Sequence, residues 1–218
     1  MFKSSVFELV KSDFLELKPK NEFEDNIVYK KGIVAICVEL VHKESNKKII
    51  LLNTHLSSDP REEHVKYIQI CLIISYLEKN FSSNDVIIWG GDLNSLQKDN
   101  NLQYALNMSS PDPKLIDFYD DIIIEEELIL YKHFSKQERK IKWSNLYYNY
   151  GGKDNSLPKF TNYAADFVGT IDHIFYNSNK VFPVTLLKID EEEIVKEKSI
   201  PRNEFPSDHV PISGVFLI

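Results

Sequence analysis

Two kinds of apolar pattern alternate along the chain, and together they predict a mixed α/β order. Val86, Ile87, Ile88 and Trp89 form an unbroken apolar run, as expected of a short strand covered on both faces. The run stops at Gly90 and Gly91, which free the backbone for a turn, and then delivers Asp92 and Asn94. Residues 32–41 are rich in β-branched side chains and predict a strand. Residues 44–48 are a polar turn, and residues 49–52 predict the hairpin partner, running into Asn53-Thr54-His55-Leu56. Between that strand and the Asp92 strand the period changes to helical. Asp59 suits an N-cap, Pro60 the first helical position and Glu62 a capping box. Val65, Ile68, Leu72 and Tyr76 recur at helical spacing and should face the core. Strand, helix and strand in this order imply a crossover unit.

The flanks are less regular. Residues 2–10 predict a strand, and residues 13–26 a loop. A helix is expected after Asn94, to about Asn107, with Leu96, Leu102, Ala105 and Leu106 inward; Pro111-Asp112-Pro113 ends it. Residues 117–130 mix apolar and acidic positions and fit either state. Residues 132–159 are polar, aromatic and aperiodic, and read as a long surface excursion. Strands are expected over 168–176, which contains Asp172, over 181–189 and over 210–218; residues 191–198 read as an acidic solvated segment. Neither repeats nor linkers interrupt the 218 residues, so one domain, 1–218, is expected.

Charge and cysteine content narrow the partners. The formal net charge is -7, which argues against coating nucleic acid by bulk charge but allows a metal-lined cleft. Cys37 and Cys71 lie in apolar runs and read as buried thiols. An intracellular, cytoplasmic setting and no membrane partner are expected: the apolar runs are too short to span a bilayer, and residues 1–11 lack a signal-peptide core.

The polar residues that interrupt apolar strands or end them carry the candidate chemistry. They are His55, Asp92 with Asn94, Asp172 within Gly169-Thr170-Ile171-Asp172-His173-Ile174-Phe175-Tyr176, and Asp208 with His209. Asp92 and Asn94, two apart on an extended backbone, should project to one side. A carboxylate inside an apolar strand is costly unless paired, so Asp172 stands out. Each cluster alone could be a cap, a turn or a satisfied core group. Together, at strand ends that converge on one sheet edge, they fit metal-dependent phosphoryl transfer. Oxygen donors without a Cys/His zinc pattern suit a hard cation.

Asn53-Thr54-His55-Leu56, Gly91-Asp92-Leu93-Asn94-Ser95, Thr170-Ile171-Asp172-His173-Ile174-Phe175 and Pro206-Ser207-Asp208-His209, in this order, resemble the endonuclease/exonuclease/phosphatase superfamily with its deoxyribonuclease I-like fold. Phe160-Thr161-Asn162-Tyr163 with Asp166, and Ile200-Pro201-Arg202-Asn203, are similar to the carbon-catabolite-repressor, nocturnin, Angel and 2′-phosphodiesterase type. The resemblance implies an α/β (α+β) four-layer sandwich, two mixed β-sheets face to face with helices outside. It implies a Mg²⁺-dependent, or Mn²⁺-dependent, 3′-to-5′ exoribonuclease acting on poly(A) RNA ends. Asp92 would orient or deprotonate the attacking water, with Asn94 holding it and the phosphate. Asp172 would buttress His209, His55 would contact the scissile phosphate, and Asp208 would hold the metal. Phe160, Asn162 and Asp166 would bind the nucleotide.

Three departures bear on these roles. His173 stands where the family usually has Tyr, and no Pro follows Asn94. The family's early strands and its metal-binding Glu have no counterpart here, since Gln137-Glu138 lies downstream of Asp92. The expectation is therefore a partial domain, matching the later two-thirds of the family fold. A non-catalytic binding module is the alternative from another class; a 2′-phosphodiesterase or nucleotide phosphatase is the alternative enzyme.

Overall fold

The apolar runs pair edge to edge into one six-stranded mixed sheet. The computed structural model describes residues 2–16, 34–61, 63–96, 99, 102, 139–150, 158–195 and 199–218. In chain order the described elements begin with β1 (Phe7–Glu16), β2 (Val34–His42), β3 (Lys47–His55), α1 (Glu63–Asn80) and β4 (Val86–Asp92). There follow β5 (Trp143–Asn145), β6 (Asn162–Tyr163), β7 (Val168–Gly169), β8 (Asp172–Asn177), β9 (Phe182–Leu186), α2 (Glu191–Val195) and β10 (Gly214–Leu217). The main sheet has the order β1-β2-β3-β4-β8-β5; β9 pairs with β10, and β6 with β7.

The hairpin and the crossover follow the expected pattern. β2 and β3 are antiparallel, and β3 and β4 are parallel, with α1 between them in sequence. Strand alternation divides the sheet's side chains between two cores. Ile50, Leu52, Ile87, Trp89, Phe175 and Trp143 turn to one face, with α1. The Trp89 ring stacks on Phe175 at 4.5 Å and meets Trp143 edge-on at 6.2 Å. Ile49, Leu51, Val86, Ile88, Ile174 and Tyr176 turn to the other face and pack with Leu186 and Phe216 of the β9–β10 pair. The two faces make the expected layers, although the second sheet is only a two-stranded pair among the described residues.

Local differences have local causes. β1 continues to Glu16, through residues read as loop, because it pairs with β2 along its whole length despite a shift between Leu9 and Lys11. The helix starts at Glu63, not Pro60; Asp59 instead accepts from the Arg61 backbone N–H at 2.9 Å and closes a turn. Val65 and Ile68 are buried as expected, but so are Lys66, Tyr67, Gln69, Ile70 and Ile73, so α1 has no solvated stripe in its middle turns. Tyr76 and Leu72 are only partly buried. Part of the supposed surface excursion is core: Trp143 and Leu146 are buried, and β5 forms one edge of the main sheet. The 168–176 strand is broken into β7 and β8 at Thr170-Ile171. The terminal strands are shorter than expected, and residues 191–195 form α2. Most of the helix expected after Asn94, residues 17–33 and the segment 117–130 lie outside the described residues. Both cysteines are buried and free. Among the described residues no helix is long and apolar enough to cross a membrane.

Candidate active site

Three neighbouring strands bring three titratable side chains into one row. β3 and β4 are parallel and in register at their C-terminal ends, so His55 lies beside Asp92. β8 runs the other way and starts at that level, so Asp172 lies on the other side of Asp92. Alternation turns the row toward the face that carries Ile88 and Tyr176. Asp172 is thus the first residue of its strand rather than an interior one. Gly91, at φ 142°, lets β4 reach this row: a side chain there would run into the Thr54 carbonyl of β3. Neither glycine makes a turn, since both belong to β4.

A loop supplies the fourth group. His209 Nδ1 is 2.8 Å from Asp172 Oδ2, and its Nε2 is 3.7 Å from Asp92 Oδ2. His55 Nε2 approaches the same Asp92 oxygen to 3.3 Å, with its side chain 69% exposed. Thr161 ties the loop to the strand. Its hydroxyl oxygen accepts from the Ile171 and Asp172 backbone N–H groups, both at 3.0 Å. Its carbonyl accepts from Val210 N–H at 2.8 Å, and Tyr163 N–H donates to the Asp208 carbonyl at 2.9 Å. The Asp172–His209 pair is therefore fixed from both partners' backbones.

The environment separates the two proton-carrying groups. Burial, followed by the Asp172 charge, raises the Asp92 pKa against the opposing pull of the Asn94 N–H and the two histidines. His209 is pulled down by burial, yet its bond to Asp172 and the charges of Asp172, Asp92 and Asp208 hold it above its ordinary value. A carboxylate that seeks a proton beside an imidazolium that keeps one is suited to acid–base work on a phosphate ester.

Known proteins resemble the chain in sequence and in fold. The chain is 31% identical over 240 residues to the CCR4-Not complex 3′-5′-exoribonuclease subunit Ccr4 of Kluyveromyces lactis, covering 100% of this chain and 29% of that protein. It is 28% identical over 191 residues to a probable Ccr4 subunit of Vairimorpha ceranae, covering 87% and 36%. The human nocturnin catalytic domain superposes with a TM-score of 0.64 at 20% identity, covering 99% of this chain and 62% of that one. ANGEL2, described as a 2′,3′-cyclic phosphatase, gives 0.71 at 18% identity, covering 99% and 68%. The chain is thus similar in sequence to Ccr4-type exoribonuclease subunits, and in fold to an endonuclease/exonuclease/phosphatase of Bacteroides vulgatus, with a TM-score of 0.61 at 13% identity, covering 100% of this chain and 68% of that one. No family model matches it. It spans roughly a third of the length of the Ccr4 relatives it matches.

Within this fold the predicted residues separate. His55, Asp92, Asp172 and His209 meet in one cluster. Asn94 is beside it, but not by extended-strand geometry. β4 ends at Asp92 and Asn94 takes a left-handed φ of 48°. Its backbone N–H donates to Asp92 Oδ1 at 2.8 Å and its side-chain N–H donates to the Leu56 carbonyl at 3.0 Å. Asp208 is exposed and accepts from Asn162 Nδ2 at 3.3 Å. Asn162 is buried, so it supports the His209 loop more directly than it faces a ligand. Asp166 is exposed. Phe160 is only 2% exposed and packs with Ile194, Ile200, Val210 and Tyr163, so it offers no face to a base. The exposed aromatic nearby is Phe167, at 40%, with Gly169 clearing space for its ring. Sequence reading missed Phe167, Thr161, Lys66 and the role of His173. The first two lie within or beside the quoted motif, and a lysine among apolar helix positions was the signal for the third.

The donor set suits a divalent cation. Asp92, Asp172 and His209 each offer an atom, all within 4.8 Å of one another. Two carboxylates supply hard oxygens; the buried Asn162 amide oxygen, behind the His209 loop, has no hydrogen-bond partner among the described residues. Asp208, expected as the metal ligand, is not in this group.

Proposed function

We propose that the chain is the catalytic part of a metal-dependent phosphodiesterase, a 3′-to-5′ exoribonuclease shortening poly(A). The row His55–Asp92–Asp172 closed by His209 carries this reading, and the similarity to Ccr4 exoribonuclease subunits supplies the substrate class. Asp92 and Asp172 would hold the cation, with Mg²⁺ or Mn²⁺ favoured by oxygen donors. When bound, the ion would neutralise phosphate oxygens and lower the cost of charge build-up. Asp92 orients or deprotonates the attacking water. His209, kept protonated by Asp172, places positive charge at the phosphoryl oxygens. His55 stands at the exposed mouth, where it meets the phosphate first. Asn94 presents its amide from the loop beside Asp92. Phe167, rather than Phe160, is the aromatic face on which a base can stack, and stacking tolerates any base.

The likeness to ANGEL2 favours a second reading, action as a 2′,3′-cyclic phosphatase. One experiment separates the two. A 5′-labelled oligo(A), ending in either a 3′-hydroxyl or a 2′,3′-cyclic phosphate, is incubated with and without Mg²⁺, beside Asp92→Ala. Metal-dependent stepwise shortening that disappears in the variant supports the exonuclease. Loss of the terminal phosphate without shortening supports the phosphatase. Neither, from folded protein, leaves a binding module.

A further inference from the structure

The Asn94 loop is held from below by a charge that the reaction itself does not use. Lys66 is 1% exposed, in the interior of α1, and its Nζ donates to the Asn94 carbonyl at 2.9 Å. Its partner on the helix is Glu63, with Nζ 2.7 Å from Oε1. A buried lysine is costly unless paired and hydrogen-bonded, and a Met or Leu would fill the same space without that cost. One turn on, Gln69 Oε1 accepts from the Ser57 N–H at 3.2 Å, in the loop that follows His55. The two loops are also joined to each other, through Asn94 Nδ2 and the Leu56 carbonyl. From β8, His173 Nε2 lies 3.0 Å from the Ser95 carbonyl. Asn145 orients that ring. Its Oδ1 accepts from Tyr148 N–H, so its Nδ2 faces His173 Nδ1 as donor, which leaves the His173 proton on Nε2 for Ser95. Two successive carbonyls, of Asn94 and Ser95, are thereby fixed by two buried side chains.

We propose that Lys66 is a positioning residue for the Asn94 amide, with His173 holding the next peptide. Asn94 needs such support because its φ of 48° is a sparsely populated conformation for a residue with a side chain. This inference rests on the reading of Asn94 as the group that meets water and phosphate. Lys66 touches neither; it acts through the direction in which the loop points.

The test compares Lys66→Arg, Glu63→Gln and the double variant Glu63→Gln/Lys66→Met, in which no carboxylate is left without its cation. On oligo(A) the double variant should lose on the order of 100-fold in kcat, with KM within about threefold, since a small displacement of a transition-state contact has that scale. Glu63→Gln keeps the Lys66–Asn94 bond and should stay within about twofold in kcat. Lys66→Arg keeps the charge and should recover a large part of the loss. Independently of activity, the hydrogen exchange of the Asn94 amide, bonded to Asp92, should rise about tenfold or more in the double variant while the Ile88 amide is unchanged. An unchanged kcat together with unchanged Asn94 exchange would overturn the proposal, as would a lower melting temperature with both amides exchanging faster by the same factor. If wild-type protein hydrolyses nothing, the exchange measurement still decides the positioning role, and the functional reading fails separately.

Discussion

His173 is a buried histidine whose proton count differs between the folded and unfolded chain. Burial pushes its pKa down to about 4, against the raising effect of its bond to Ser95 and the nearby Asp172. A depressed histidine contributes stability that is complete above about 6.5 and is lost as pH falls toward 4, because the unfolded chain takes up the proton first. The loss amounts to roughly 3 kcal/mol over that window. Urea melts of metal-free protein at pH 7 and pH 4 should show it, and His173→Gln, which keeps a donor for Ser95, should flatten the difference. Equal acid sensitivity in both proteins would mean that His173 is solvated. The sequence exposed His173 only as a departure from a motif. Asp172 was legible for a different reason: a carboxylate among Ile, Phe and Tyr demands a partner, and His209 proved to be it. Phe160 was assigned to the nucleotide only through the resemblance, and its burial, which depends on α2 and the 200–210 loop packing over it, could not be read from the motif. Asn94 was placed correctly in sequence but not in geometry, since a left-handed residue cannot be distinguished by composition from the next step of a strand.

At the scale of elements, the end of β4 decides whether the site exists. β3 and β4 must be in close register for His55 to stand beside Asp92, and Gly91 makes that approach. Gly91→Ala places a methyl against the Thr54 carbonyl in a backbone conformation that alanine disfavours. The strain alone is about 1–3 kcal/mol, and the collision adds to it by parting the strands one residue from the His55–Asp92–Asp172 row. The expected result is a drop in melting temperature with hydrolysis lost on the order of 100-fold. Gly169→Ala is the contrast: its methyl meets the ends of the Leu96 and Phe167 side chains, which can turn aside. That variant should keep its stability better and change KM more than kcat. Equal damage from both substitutions would sink the distinction. The strands themselves were readable because β-branched runs bounded by polar turns leave little choice, as in β2 and β3. The edges were not. β5 hides in a stretch without period, and β1 extends past its apolar residues because an existing neighbour, β2, offers hydrogen bonds along its length. The helical stripe expected of α1 dissolved for a similar reason, since its polar face is used inside the molecule by Lys66 and Gln69.

For the whole molecule, charge opposes the reaction proposed for it. The chain carries a net charge of -7 and the substrate would be a polyanion, so long-range attraction has to come from a local cation rather than from the protein's bulk. The same tension is present inside the site, where Asp92 and Asp172 face each other across two strands. Burial and then the Asp172 charge raise the Asp92 pKa. A raised carboxylate contributes stability that is whole below about 3.8 and is lost as pH rises through its folded value. At pH 7, without metal, ionised Asp92 therefore weakens the fold. Asp92→Asn keeps an oxygen for the Asn94 N–H and removes the charge. It should melt higher than wild type in chelator while losing hydrolysis on the order of 100-fold or more. Added Mg²⁺ or Mn²⁺ should raise the wild-type melting temperature and move the variant less, since a ligand stabilises only the state that binds it. Thermal melts of both proteins in chelator and across a metal titration test this. A variant that melts lower than wild type in chelator would show that His55 and His209 compensate Asp92 more than Asp172 opposes it. The site would then be held together by its own charges, and the cation would be needed for the phosphate alone.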